Sequence, residues 1–293
     1  MIETMNSADI AFPNLGIYLE NVPKNFSVFG FSIAFYGLII GIGVMAGIAM
    51  AAREAKRTGQ NPDDYWDFAI YAIIFSIVGA RLYYVIFSWD HYKNNLSEII
   101  NLRKGGLAIY GAVIAAFITL FVYTRIKKKS FWQMADTGVL GLILGQIIGR
   151  WGNFMNGEAY GYQTDAFIRM GLQNANTRYD FGTLEMVFVH PTFLYESLWN
   201  LVGFILINLF YKHRKYDGQV FMMVFGWYGL GRLWIEGLRT DSLMIFGDTV
   251  RVSQLLAILI FIASASALIY FFIKKPNKPL FVAAEKEIIK KKK

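Results

Sequence analysis

Seven charged residues stand inside stretches that are otherwise apolar: Asp67, Arg81, Asp136, Arg150, Glu196, Arg232 and Glu236. An ionised side chain in apolar surroundings is costly and is a functional candidate by default. Arginine forks match phosphate oxygens in a bidentate way. Carboxylates beside them can hold the forks or carry a proton. Tyr228, Arg232, Glu236 and Arg239 are spaced 4, 4 and 3 apart, which keeps them on one helix face. An Arg232–Glu236 ion pair is the plainest reading of that face, and Arg239 then leaves surplus positive charge. The densest polar stretch is Gly149-Arg150-Trp151-Gly152-Asn153-Phe154-Met155-Asn156-Gly157-Glu158. Asn153 and Asn156 offer both donors and acceptors. A helix stopped by Gly and Asn is the competing reading of this stretch. His190-Pro191-Thr192 precedes Tyr195-Glu196, and either His190 or Thr192 could cap a helix there. His91 and His213 carry no assignment.

These groups need elements to position them. The chain has 293 residues, 55% of them hydrophobic, 17% aromatic and 17% charged. A globular domain carries about 25% charge, so an ordinary soluble enzyme, a disordered chain and a coiled coil are all excluded. Cysteine is absent, which removes disulfides, a thiolate nucleophile of the chain's own and Cys-ligated metal. With three His and no His-Glu-x-x-His, a zinc enzyme is not expected. Apolar stretches near the ~20 residues that span a bilayer predict seven helices, at about 28–50, 66–88, 106–124, 131–150, 192–211, 219–238 and 252–273. One set of flanks holds 18 Lys and Arg, the other nine. Positive charge marks the cytoplasmic side, so the N-terminus is expected outside and the C-terminus inside. The net charge of +8 is thereby explained without nucleic acid.

The expected class is an all-α polytopic membrane protein with a small extracytoplasmic domain. Its membrane domain covers 1–275, with a head segment inserted at 151–191 and a basic cytoplasmic tail at 276–293. The first 26 residues are mixed and polar enough to lie outside the bilayer, and a short hairpin is expected around 179–189. In this topology Arg81, Arg150, Glu196, Arg232 and Glu236 all fall in the outer half of the membrane, while Asp67 and Asp136 sit near an interface. Each arginine could snorkel to the surface alone. Five charges in one leaflet point instead to a polar cavity opening outward, where the ready anion is a phospholipid head group.

The stretch from Gly149 to Glu158 closely resembles the signature of the prolipoprotein diacylglyceryl transferase family. Phe35-Tyr36-Gly37, Gly79-Ala80-Arg81, Gly105 to Gly111, His190 to Glu196, Tyr228 to Arg232 with Glu236, and Arg239-Thr240-Asp241 resemble further family motifs, in order along nearly the whole chain. The resemblance implies seven spans and a transfer of the diacylglyceryl group of phosphatidylglycerol. The acceptor is the lipobox cysteine thiol of a preprolipoprotein signal peptide. A thioether forms and glycerol 1-phosphate leaves, at the outer face of a bacterial plasma membrane. One departure stands out: Tyr110-Gly111-Ala112 occupies a place where many members have His followed by Gly-Gly.

On that basis Arg150 and Arg232 are expected on the phosphate, with Arg239 and Arg81 as secondary candidates. Asn153 and Asn156 orient the head group, and Glu158 and Glu236 hold the arginines or relay the thiol proton. Tyr110 hydrogen-bonds thiolate or phosphate, Tyr36 and Tyr228 line the pocket, and Gly161 and His190 complete the substrate site. No cofactor or metal is expected, and the protein is expected to act as a monomer. A transporter would place charges at mid-membrane or on both sides. A retinal photoreceptor needs a Lys inside span 7, which has none. A non-catalytic phospholipid-binding scaffold is the remaining alternative.

Overall fold

The computed structural model describes residues 7–102, 105–245 and 249–274. In chain order the elements are β1 (Ser7–Phe12), β2 (Ile17–Pro23), β3 (Asn25–Val28), β4 (Phe31–Ala34), α1 (Phe35–Thr58), α2 (Asp63–Phe87), α3 (Trp89–Tyr92), α4 (Ile109–Ile126), α5 (Phe131–Asn156), β5 (Met170–Gln173), α6 (Ala175–Phe181), β6 (Val187–Val189), α7 (Thr192–Phe210), α8 (Gln219–Leu238), β7 (Met244–Ile245), β8 (Val250–Arg251) and α9 (Val252–Lys274). The tail expected at 276–293 lies outside the described residues.

Among the described residues, six helices are long and apolar enough to cross a membrane: α1, α2, α4, α5, α7 and α9. In lipid every backbone polar group must be satisfied within the segment, which selects helices for such apolar runs. Charge placement suits the helix dipole: α2 opens with Asp63 and Asp64, and α1 closes with Lys56 and Arg57. The protein is thus a polytopic, mostly helical membrane protein. The span expected at 219–238 coincides with α8, but Gln219, Tyr228, Arg232 and Glu236 make it less apolar than the six. The span expected at 28–50 begins later, at Phe35, because residues 25–34 pair as two strands instead.

The described residues group into two compact units, one from 7–50 and 139–274 and the other from 51–138. In the first, α8 packs on α9 and α7. Val139, Leu140, Ile143, Ile207, Tyr211, Val220 and Val224 form a buried cluster joining α5, α7 and α8. Serine and tryptophan tie these helices further. Ser197 donates to the Ile147 carbonyl (3.0 Å). The indoles of Trp199 and Trp227 stack at 4.5 Å, and each donates to the other's backbone carbonyl (3.0 and 2.9 Å).

The same unit carries an antiparallel sheet in the order β2-β1-β5-β6. Its core is Ala8, Ile10, Phe12, Tyr160, Met170, Leu172, Val187, Val189 and Phe193. The hairpin expected around 179–189 is replaced by β5 and β6, which pair across the short helix α6. Asn174 and Thr177 close a capping box that starts α6 just after β5. In the second unit α2 packs along α4.

Candidate functional site

Three helices of the first unit bring their charges together. Glu196, near the start of α7, is almost fully buried and takes an arginine on each carboxylate oxygen. Arg150 of α5 donates through Nη2 to Oε1, and Arg232 of α8 donates through Nη1 to Oε2 at 2.9 Å. Arg232 Nη2 also lies 2.6 Å from Glu236 Oε2 one turn further on, the ion pair expected from the spacing. That contact lacks hydrogen-bond geometry, so Glu236 Oε2 is buried without a hydrogen-bond partner. The pair is an ionic contact. Ionic attraction across so short a gap in low dielectric is strong, but desolvation offsets much of it.

An arginine carries five N–H donors. Among the described residues, Arg150 uses one on Glu196 and a second, weakly, on Asn153 Oδ1 (3.4 Å). Arg232 directs one to Glu196 and another toward Glu236. Both side chains keep donors for a ligand and some exposure, 21% for Arg150 and 12% for Arg232.

The end of α5 extends the constellation. Asn153 Nδ2 donates to Glu158 Oε1 (3.1 Å), and the Glu158 backbone N–H donates to the Asn153 carbonyl (3.2 Å). Thus Glu158 steadies Asn153 rather than an arginine. Asn156, the last residue of α5, is half-buried. Tyr36, on the first turn of α1, packs its ring on Gly152 and lies within electrostatic reach of Glu158 and Arg150. Tyr228 lies within such reach of Arg232, Glu196, Arg150 and Glu236.

Arg239 departs from expectation. Its Nε and Nη2 grip Asp241 Oδ1 and Oδ2 at 2.8 and 2.7 Å, so the surplus charge foreseen at Arg239 is spent two residues on. Burial pushes the Asp241 carboxyl up, but Arg239 outweighs it and holds the group below its usual range. Gly161 forms a bridge opposite Arg239 and donates its N–H to the His190 carbonyl (2.9 Å). A Cβ at Gly161 would stand 2.7 Å from the Leu238 carbonyl oxygen, so only glycine fits. His190 Nδ1 lies 3.2 Å from the Tyr195 hydroxyl, and burial lowers its pKa. Neither His190 nor Thr192 caps α7: Pro191 is the cap residue without a side-chain bond, and the Thr192 hydroxyl donates to the Ala159 carbonyl.

Arg81 and Tyr110 belong to the second unit. Arg81 is buried, and all five of its donors end on backbone carbonyls: Nε on Ile99, Nη1 on Gly105 and Gly106, Nη2 on Glu98 and Asn101. It holds the segment leading to α4. Tyr110, second residue of α4, is half-buried with its ring 6.3 Å from that of Tyr83.

Glu196 is the residue that spacing did not place in the site. Its signal was a carboxylate one turn into an apolar helix. Its partners lie 46 and 36 residues away, which no periodicity reveals. Among the described residues no group of three or more His, Cys, Asp and Glu could hold a metal ion.

Fold and site together define a polytopic membrane protein with a buried arginine–carboxylate cluster drawn from three helices. Residues 23–270 match the family described as prolipoprotein diacylglyceryl transferase. The chain belongs to that family. It is 44% identical over 262 residues to the phosphatidylglycerol–prolipoprotein diacylglyceryl transferase of Listeria welshimeri, covering 89% of this chain and 94% of the relative. To the Clostridioides difficile protein of the same name it is 43% identical over 252 residues, 86% of this chain and 96% of the relative. The corresponding figures for the Bacillus cereus protein are 44% over 228 residues, 78% and 84%.

Proposed function

We propose that the chain transfers the diacylglyceryl group of phosphatidylglycerol to the lipobox cysteine thiol of a preprolipoprotein. The observation that carries the residue assignment is the Glu196 bridge, which holds two buried arginines side by side with donors to spare. The thiol sulfur attacks the glycerol carbon that bears the phosphate ester. The carbon–sulfur bond forms, the carbon–oxygen bond breaks, and glycerol 1-phosphate leaves with the electron pair. Arg150 and Arg232 bind the phosphate and take up the charge that develops on its leaving oxygen. A thiol has a pKa near 8.5, so its proton needs an acceptor, and Glu236, ion-paired to Arg232, either relays that proton or holds the arginine. Asn153, held by Glu158, and Asn156 orient the head group, and Tyr36 and Tyr228 line the pocket. Gly161, His190 and the Arg239–Asp241 pair support its rim. Tyr110 carries a family motif, and its part in the transfer rests on that motif, whereas Arg81 keeps the segment before it in place.

We place α8 as a further span, making seven in all, with the N-terminus outside and the site in the outer leaflet of a bacterial plasma membrane. The protein acts as a monomer. The lysine and arginine asymmetry supports the orientation.

Purified protein incubated with radiolabelled phosphatidylglycerol and a lipobox peptide tests the reaction. Label is expected on the cysteine peptide and not on its serine counterpart, with glycerol phosphate released. Absence of transfer by folded protein that binds the lipid would favour the scaffold reading. Loss of activity in Tyr110→Phe would point to that hydroxyl, and full activity would make Tyr110 a packing residue.

A further inference from the structure

The ten residues before α1 form a hairpin whose two faces differ. β3 and β4 pair Asn25 with Ala34, Phe26 with Ile33, Ser27 with Ser32 and Val28 with Phe31. Side chains alternate across a strand, so Phe26, Val28, Phe31 and Ile33 share one face, and Asn25, Ser27, Ser32 and Ala34 the other. No charge interrupts residues 25–34. The apolar face is largely uncovered by the chain itself: Phe31 is 75% exposed and Val28 and Ile33 are exposed as well. A two-stranded hairpin on its own is marginal in water. A contiguous apolar surface of this kind marks an interaction site rather than the ordinary scatter of exposed side chains.

The turn carries a second, independent sign. Phe29 and Gly30 both have positive φ, 50° and 82°, the pattern of a two-residue turn that suits Asn-Gly or Asp-Gly. An aromatic residue at left-handed φ is disfavoured by sterics, so backbone geometry does not explain Phe29. It is 97% exposed. The strained position is occupied by a large apolar group aimed outward.

We propose that the β3–β4 hairpin is a membrane-surface anchor, with its apolar face and the Phe29 ring seated in the lipid interface of the leaflet where α1 begins. Continuity with α1 identifies the occupant. Phe35, first residue of that membrane helix, follows β4 directly. Its N–H donates to the Lys24 carbonyl (3.0 Å), and its ring lies 4.8 Å from that of Phe26. The hairpin base is therefore fastened to the end of the helix. A four-residue strand reaches about 13 Å, while the interfacial layer on each side of the hydrocarbon is roughly 5–8 Å deep. A hairpin laid flat puts its apolar face into that layer, the position interfacial amphipathic segments adopt, and its serines toward water. Aromatic rings favour the same depth. The anchor is independent of the transfer chemistry and holds for either orientation of the chain.

The cysteine-free sequence makes the test direct. Four single-cysteine variants, Ser27→Cys, Phe29→Cys, Phe31→Cys and Ser32→Cys, each give one nitroxide site. They are reconstituted in vesicles of phosphatidylglycerol and phosphatidylethanolamine, and collisions with oxygen and with a water-soluble nickel chelate are measured. The oxygen-to-nickel ratio is expected to be several-fold higher at 29 and 31 than at 27 and 32. Similar, water-like ratios at all four sites would overturn the anchor. Shielding of 29 and 31 from both reagents would also overturn it, since a second copy or a bound peptide would then cover the face.

Discussion

Arg81 and the Arg150–Arg232 pair are all buried arginines in a chain poor in charge, yet their surroundings differ in kind. Arg81 spends five donors on five backbone carbonyls between residues 98 and 106. Arg150 and Arg232 share one buried carboxylate and each retains donors. A saturated guanidinium holds backbone in place and has nothing left for a ligand. One held at a single edge stays oriented while its other edges remain available. Burial and charge alone do not separate a structural arginine from a ligand-binding one, but the donor count does.

The largest effects are expected at the shared carboxylate. Arg150→Ala and Arg232→Ala should each lower transfer by about 10²–10³-fold or more, the usual cost of losing a donor aimed at developing charge. Radiolabel transfer by protein of unchanged helical content is the measure. Near-wild-type rates in either variant would remove that residue from the phosphate site. Glu236→Gln should cost about 10²-fold in kcat if the carboxylate accepts the thiol proton. A pH–rate profile that keeps its shape and height in this variant would assign Glu236 to holding Arg232 only.

Arg81→Ala should act on stability first. Hydrogen bonds to charged groups are worth about 1.5–3 kcal/mol each and are not additive, so a loss of roughly 2–4 kcal/mol is expected, read as a lower unfolding midpoint in detergent. Arg81→Lys, with three donors for five carbonyls, should recover only part of it. A stable Arg81→Ala protein that nevertheless loses transfer as fully as the Arg232 variant would break the contrast. Gly161→Ala should cost about 1–3 kcal/mol, because the added methyl overlaps the Leu238 carbonyl oxygen and His190.

The smallest effect concerns Asp241, whose carboxyl is half-exposed. Its pKa is lowered in the fold, so its stabilisation is present above the ordinary carboxylate range. It is lost as pH falls through the lowered value. Asp241→Asn should therefore lower stability slightly near neutrality and flatten the acid limb, converging with the unsubstituted protein at low pH. A variant with an unaltered acid limb would show that the Arg239 fork contributes nothing measurable.

Much of the site was legible because it is local. The steps from Tyr228 to Arg232 to Glu236 follow the helix repeat, and the Arg232–Glu236 contact appears where that repeat puts it. Arg150, Asn153 and Glu158 likewise meet around one helix end. Helical spacing does not reach Arg239, because α8 stops at Leu238 and the chain turns Asp241 onto the guanidinium. Residues 28–34 read as part of a span because they are uncharged and mostly apolar, and composition does not distinguish an amphipathic hairpin from the start of a helix.

Membrane class, the positions of six apolar helices and the presence of costly charges among them follow from the order of residues alone. Hydropathy sums over neighbours in the chain, and helical spacing is a property of one element. Tertiary structure decided which charges met. It set Glu196 between arginines of two other helices, gave Arg81 its carbonyl cage, and paired β1 with β5 across more than 150 residues. Contacts of that separation depend on how helices and strands pack in three dimensions, and no repeat along the sequence encodes them.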